Sequence, residues 1–408
     1  MRRYLMKKIL ISFIIILSFS FIWFMACEND VPSSIYDPDE QGEATPAISS
    51  ITPADSTTTG IGNIVISGSN FSPVAEENLV FFNKTRAKVV SSTENEIIVE
   101  SPIVTGDSVA VKLSARNSYH FSNDYLYSLF EAVYEFGGFD DYTDPYALAV
   151  DNDENLYVSI AGKKIEKVSP DGTRETYANV LVDKCSGMVM GPNGDIYYAN
   201  ILQYIFLLPA GGGQDGIFVR TPGGVQDLDF DANGNIFCGG NGKEIYWVNV
   251  AEKTSTTVKE YPSTNIKSIR VFNGYVYVVG DYVGTEQDQV KFAVYRNQIL
   301  DAEGTLGETE MVFAFSNEFP TAILYSVNFD IDGIMYLGTS MPDNAILKVQ
   351  QDGSYSALYP RVMNAETYEM CWGNGNHMYI TRRNKDVTIR RVLKLNMFIQ
   401  GAPYYGRQ

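Results

Sequence analysis

The sequence predicts an all-β protein in two folded parts, an antiparallel β-sandwich followed by a six-bladed β-propeller. Three observations carry that prediction. Between residues 47 and 129, runs such as NIVISGSNF, AKVVSS, NEIIVESP and SVAVKLSA alternate apolar and polar residues and are separated by Gly, Asn and Pro, the pattern of half-buried strands. From residue 130 onward, an aromatic behind a short polar turn recurs as Tyr157, Tyr197, Phe237 and Tyr277, 40 residues apart each time, and then as Tyr336 and Tyr379. Each interval holds about four strand-like runs, the signature of propeller blades.

Residues 1 to 26 contain Arg2, Arg3, Lys7 and Lys8, no acidic residue, and an apolar run from Ile9 to Ala26. That is the layout of an export signal. The run ends in FMACEND, which resembles the lipobox of bacterial lipoproteins, with Phe24 where Leu is usual and Met25 where a small residue is usual. The resemblance implies lipidation of Cys27; an uncleaved anchor and an ordinary secretory cut are the alternatives. Glu28, Asn29 and Asp30 resemble the tag of Bacteroidota-type lipoproteins, which implies an outer-membrane, lipid-anchored protein facing the cell exterior. Residues 27 to 45, rich in Pro, Ser and acids, have little to bury and are expected to form a tether.

The chain carries 31 basic and 49 acidic residues; removing residues 1 to 26, with four basic residues and no acid, leaves 27 against 49, a net charge of −22. Such a surface repels phosphate backbones, which argues against nucleic acid as a partner. The basic stretch RRNKDVTIRRVLK, residues 382 to 394, is expected to be the solvated face of a strand pair. Beyond Cys27, the odd set Cys185, Cys238 and Cys371 has no CxxC or Cys/His spacing, so core thiols are expected.

The first folded part, residues 46 to 129, opens with ISSITPADSTTTGIGNIVISGSNF. This resembles IPT/TIG domains, with Pro53, Gly60, Gly68, Asn70 and Phe71 in the usual places and Pro102 of NEIIVESP fitting the same family. The resemblance implies an immunoglobulin-like sandwich that acts as a spacer or interaction module.

The second part, residues 130 to 402, is read blade by blade as an inner apolar strand, a turn, a strand bearing the aromatic, a third strand and a polar outer strand. The sixth unit ends at RVLKLNM without an outer strand, whereas EAVYEF, residues 131 to 136, precedes the first unit with no blade of its own. These six residues are therefore expected to complete the last blade, giving six. The kernels VDNDENLYV, MGPNGDIYY and FDANGNIFC resemble NHL-repeat propellers, or a kindred propeller type. Glu154 stands where the repeat usually has Gly, and the fourth kernel, VFNGYVYVV, is one residue shorter.

Only two histidines, His120 and His377, are present, and there is no G-x-S-x-G, HExxH or P-loop. A site built on several histidines is thereby excluded, and no catalytic residue is assigned. Aligning the inner strands places Leu148, Met188, Leu228, Ile269, Val327 and Met370 between blades. The alternate set includes Asp227, Asp229, Ser268, Arg270, Asn328 and Glu369. Asp229, Asn328 and Glu369 could surround a calcium ion; the alternative is a wet channel satisfied by water and Arg270.

At the loop entering each inner strand stand Tyr146, Ser186, Gln226, Lys267, Tyr325 and Tyr368. Tyr146, Gln226, Lys267, Tyr325 and Tyr368 suit a sugar, because aromatic faces stack on pyranose rings while amide and amine groups bond hydroxyls. Packing between blades is the competing role. The architecture resembles surface glycan-binding lipoproteins of polysaccharide-utilisation systems, which implies a polysaccharide or oligosaccharide ligand and an outer-membrane transporter or other surface protein as partner. A calcium-dependent hydrolase or lyase in the channel, and a protein-binding scaffold, are the alternatives.

Overall fold

The structure, a computed structural model, describes residues 42–286, 288–363, 366–383 and 389–407. The export signal, Cys27 and most of the tether lie outside the described residues. Among those residues no helix is long and apolar enough to cross a membrane.

Nine strands between residues 47 and 130 make two sheets. One is ordered Ala47–Thr52, Asn63–Ser69, Glu96–Glu100, Val89–Ser92; the other joins Ser56–Thr58, Tyr125–Phe130, Gly106–Ala115, Asn78–Phe82 and Thr85–Arg86. Period-two alternation sends Ile64, Ile66, Ile97 and Val99 inward from the first sheet to meet Val80, Phe82, Val111 and Leu113 of the second. Burying each of these side chains is worth roughly 1.5–3 kcal/mol. Two residues of the opening motif have local reasons to be what they are. A Cβ on Gly68 would overlap the Ala47 carbonyl and the Phe71 ring, and Asn70 has a φ of 59°, a left-handed conformation that Asn tolerates better than most residues.

The remaining strands form six four-stranded antiparallel sheets. Their inner strands are Leu148–Val150, Gly187–Met190, Asp227–Phe230, Thr264–Phe272, Leu324–Phe329 and Thr367–Trp372, belonging to blades I to VI in turn. Each inner strand lies against the next, and the sixth returns to the first. Closure is as expected: Val133–Glu135 pairs with Arg391–Asn396 as the outer strand of blade VI, in the register Val133 to Leu395 and Glu135 to Leu393. The first propeller strand in the chain thus locks onto the last.

Three of the recurring aromatics meet a ring of the next blade. Tyr197 meets Phe230 at 5.3 Å, Tyr277 meets Phe329 at 4.5 Å, and Tyr336 meets Trp372 at 5.6 Å. The turns before them are set by a carboxylate. Asp330 Oδ1 accepts from the backbone N–H groups of Asp332 and Ile334, while Oδ2 accepts from the Tyr336 hydroxyl at 2.9 Å. Asp151 does the same for Asp153, Asn155 and Tyr157. These aspartates hold turns.

After the last strand, the chain crosses one end of the channel. Gly401 bridges to Asp330 of blade V and fits against Trp372 of blade VI. Tyr405 then reaches Phe230 of blade III at 5.6 Å. This strap closes the channel at the end where the inner strands finish.

Candidate binding site at the mouth of the propeller

The six positions at the opposite end share a backbone device. In blades IV, V and VI the ladder skips a residue between Ile266 and Ser268, Leu324 and Ser326, and Thr367 and Glu369. The skipped residues are Lys267, Tyr325 and Tyr368. A bulge leaves its extra residue outside the pairing and re-aims its side chain, which frees these three from the alternation that buries their neighbours. In blades I to III, Tyr146, Ser186 and Gln226 precede the inner strand and donate their backbone N–H groups to Ser159, Ala199 and Gly239 at 2.8 Å each. All six side chains are half-buried.

The expected ring divides into two groups. Tyr325, Tyr368 and Tyr146, from the consecutive blades V, VI and I, form one aromatic cluster: Tyr368 lies 5.5 Å from Tyr325 and 6.3 Å, edge-on, from Tyr146. Gln226 and Lys267, from blades III and IV, form a separate pair in which the Gln226 amide donates to the Lys267 carbonyl at 3.0 Å. Two of the three tyrosine hydroxyls are engaged. Tyr325 donates to Glu366 at 2.9 Å, and the Tyr146 oxygen accepts from Arg383 at 2.6 Å and Lys184 at 3.1 Å. Burial holds the Tyr368 hydroxyl above its ordinary pKa, and burial together with Glu366 does the same for Tyr325.

Residues 384–388 of the basic stretch lie outside the described residues; the rest of it departs from the expected solvated strand face. Arg383 and Arg390 turn inward with Lys184 onto Asp144, which is buried at the rim of blade I. Arg391 pairs with Glu135 and Asp141. Lys394 is itself buried against the Phe136 and Tyr379 rings. Lys184, Arg383, Arg390 and Asp144 escaped the sequence reading because they are brought together only by ring closure.

Inside the channel, the proposed cation ligands are committed elsewhere. Asp229 accepts from the N–H groups of Phe230 at 3.0 Å and of Val271, in the next blade, at 2.8 Å. Asn328 accepts from Phe329 and donates to the Met370 carbonyl of the next blade at 3.1 Å. Glu369 accepts from Arg270 at 2.7 Å, and Arg270 also donates to Asp227 at 3.0 Å. These polar side chains tie inner strands to each other across the ring. Among the described residues, no group of three or more His, Cys, Asp or Glu is placed to hold a metal ion. Desolvation raises the Asp229 carboxyl to about 6 despite Arg270 nearby. A cavity of about 60 Å³ remains between this layer and the strap, lined by Met188, Asp229, Arg270, Asn328 and Tyr404.

A larger groove, 1170 Å³, opens on the strap side around blade IV. It lies between the turns at Asp231–Asn233 and Ile331–Gly333, with Phe272, Tyr277 and the Arg296–Glu310 pair among its lining residues. The short fourth kernel is the sequence signal for it. Where blades III and V carry Asp231 and Asp330, blade IV has Phe272 and only the Asn273–Gly274 turn, so its hairpin stops short of its neighbours.

Residues 46–129 match the IPT/TIG domain family. A search of curated proteins finds no match. Several solved structures share the fold. An auxiliary nutrient binding protein from Bacteroides thetaiotaomicron is 11% identical, with 88% of this chain and 98% of that one covered and a TM-score of 0.52. A protein from the same organism provisionally described as a phosphatase is 11% identical, with 88% and 99% covered and a TM-score of 0.58. A luciferin-regenerating enzyme is 13% identical, with 68% and 99% covered and a TM-score of 0.54. The chain is thus similar in fold to a binding protein and to an enzyme alike, and fold alone does not choose between them.

Proposed function

We propose that this protein captures a polysaccharide or oligosaccharide at the cell surface, with the propeller as the binding domain, the IPT/TIG domain as spacer and a lipid on Cys27 as anchor. The observation that carries this reading is the cluster Tyr325, Tyr368 and Tyr146 on three consecutive blades, at the end of the channel away from the strap. Tyrosine is suited to this task because its ring offers an apolar surface to a pyranose while its rim hydrogen-bonds to hydroxyls, at small entropic cost. The cations and carboxylates beside it supply donors and acceptors.

An auxiliary nutrient binding protein of similar fold is compatible with this reading. The IPT/TIG domain is well placed to act as a spacer because it is fastened to the propeller. Arg361 of blade V donates to the Gly60 and Ser101 carbonyls at 3.0 and 2.5 Å and pairs with Glu100 at 2.6 Å.

The test is a polysaccharide binding screen on non-lipidated protein from residue 28 onward, in calcium and again in chelator. Chelator-insensitive binding that is lost in Tyr146→Ala and Tyr368→Ala is the expected result. Binding that needs calcium and is accompanied by cleavage would favour the channel enzyme instead, and an absence of glycan binding in both conditions would favour the protein scaffold.

A further inference from the structure

We propose that the ligand at the mouth is an anionic saccharide, whose carboxylate or sulfate group is held by Lys184, Arg383 and Arg390 while its ring lies on the tyrosine cluster. This rests on the glycan-binding reading and names the substrate class.

Three cations converge on a single carboxylate. Lys184 and Arg390 contact Asp144 Oδ2 and Oδ1 respectively, and Arg383 lies 3.5 Å from Oδ1. Asp144 retains 4% of its side-chain exposure, whereas Lys184, Arg383 and Arg390 retain 28%, 21% and 33%. The anion is therefore sealed beneath while the cations reach solvent. Lys184, Arg383 and Arg390 outnumber Asp144 and the neighbouring Glu366, which accepts from Tyr325; Asp141, which accepts from the Arg390 backbone N–H, is paired with Arg391.

That excess sits in a chain whose net charge is −18. A protein of this charge repels anions over most of its surface, so a local positive cluster directs an anion to one place. Asp144 then serves as a positioning residue that keeps the three cations aimed together.

The cations are also braced against the rings. The Arg383 guanidinium lies 3.8 Å from the centre of the Tyr146 ring and 5.3 Å from that of Tyr368, and Lys184 lies 4.6 Å from the centre of the Tyr146 ring. A planar guanidinium fixed on an aromatic face keeps its remaining N–H groups ready for an oxyanion, with little freedom left to lose. An aromatic surface bordered by fixed cations fits a sugar that carries acid groups. A carboxylate of a uronic acid and a sulfate ester present the same chemistry here.

The experiment compares matched probes that differ in charge: polygalacturonate against its methyl ester, and chondroitin sulfate against desulfated chondroitin, with a neutral glucan and a neutral mannan alongside. Affinities are measured with the protein from residue 28 onward, at low and high salt. The expected result is at least tenfold tighter binding of one charged probe than of its less charged partner, weakening as salt rises. Preference within the first pair assigns a carboxylate ligand, and preference within the second a sulfate.

Arg383→Gln and Arg390→Gln are expected to remove that preference, and the wild-type probe and salt comparisons stand even if a variant fails to fold. Equal or tighter binding of neutral glycans, unaffected by salt, would overturn the inference and leave the glycan reading intact. Failure to bind any probe, charged or neutral, would overturn the glycan reading itself.

Discussion

Arg383 lies over Tyr146, its guanidinium carbon 3.8 Å from the ring centre and its Nη2 2.6 Å from the ring hydroxyl. The two residues are 237 positions apart in the chain and belong to the last and first blades. Closing the ring creates this contact, so a rim assembled from blades V, VI and I depends on the strand Val133–Glu135 completing blade VI.

Tyr368 is the centre of the aromatic cluster, touching both other tyrosines. Because it is a bulged residue outside the ladder, Tyr368→Ala is expected to leave the fold standing. Glycan affinity should fall about tenfold, the equivalent of roughly 1.4 kcal/mol. Titration calorimetry beside a thermal melt separates the two effects.

Glu154 latches blade I to blade VI at the strap side. Its carboxylate accepts from the Asn374 N–H at 2.5 Å and the Tyr379 hydroxyl at 3.1 Å, and a Cβ on Gly373 would overlap it. Glu154→Ala should cost about 3 kcal/mol, since two hydrogen bonds to a charged acceptor are lost. Glu154 holds a φ of 64°, a conformation that suits Gly better than Ala, so Glu154→Gly should cost about 1 kcal/mol less than Glu154→Ala. Urea unfolding of the two variants checks both the size and the order.

Asp229 ties blade III to blade IV, and burial raises its carboxyl from 3.8 to about 6. Between these values the folded state binds more protons than the unfolded one. The stability contributed by this group is therefore present below pH 3.8 and is lost as pH rises to about 6. Asp229→Asn should remove roughly 2–3 kcal/mol from the total change in stability across that window, while losing the bond accepted from Val271. Urea midpoints of both proteins from pH 4 to 7 test this.

Arg361→Ala removes the guanidinium that binds Gly60, Glu100 and Ser101. The IPT/TIG domain should become more mobile relative to the propeller, with faster proteolysis between residues 130 and 133. Glycan affinity should be unchanged, because Arg361 takes no part in the aromatic cluster. Limited proteolysis and a binding isotherm on the same sample give both readouts.

Much of this fold was legible because strands declare themselves locally. The 40-residue spacing from Tyr157 to Tyr277 counted blades, and EAVYEF without a blade of its own announced the closure. The bulges at Lys267, Tyr325 and Tyr368 were not legible, because period-two alternation assigns those residues to the core face and only pairing reveals the skipped position. The channel carboxylates were found, but their bonds to the N–H groups of neighbouring blades depend on ring geometry. The convergence of Lys184, Arg383 and Arg390 on Asp144 was hidden for the same reason: their separation in sequence exceeds any local pattern.

The most direct test of the account is a binding isotherm of one polysaccharide hit for four proteins: the parent, Tyr146→Ala, Tyr368→Ala, and Met311→Asp, the last at a residue that lines the strap-side groove. The account predicts that the two tyrosine variants lose about tenfold or more in affinity while Met311→Asp binds like the parent. Loss of binding in Met311→Asp, with the tyrosine variants unaffected, would contradict it and move the site to the groove at blade IV.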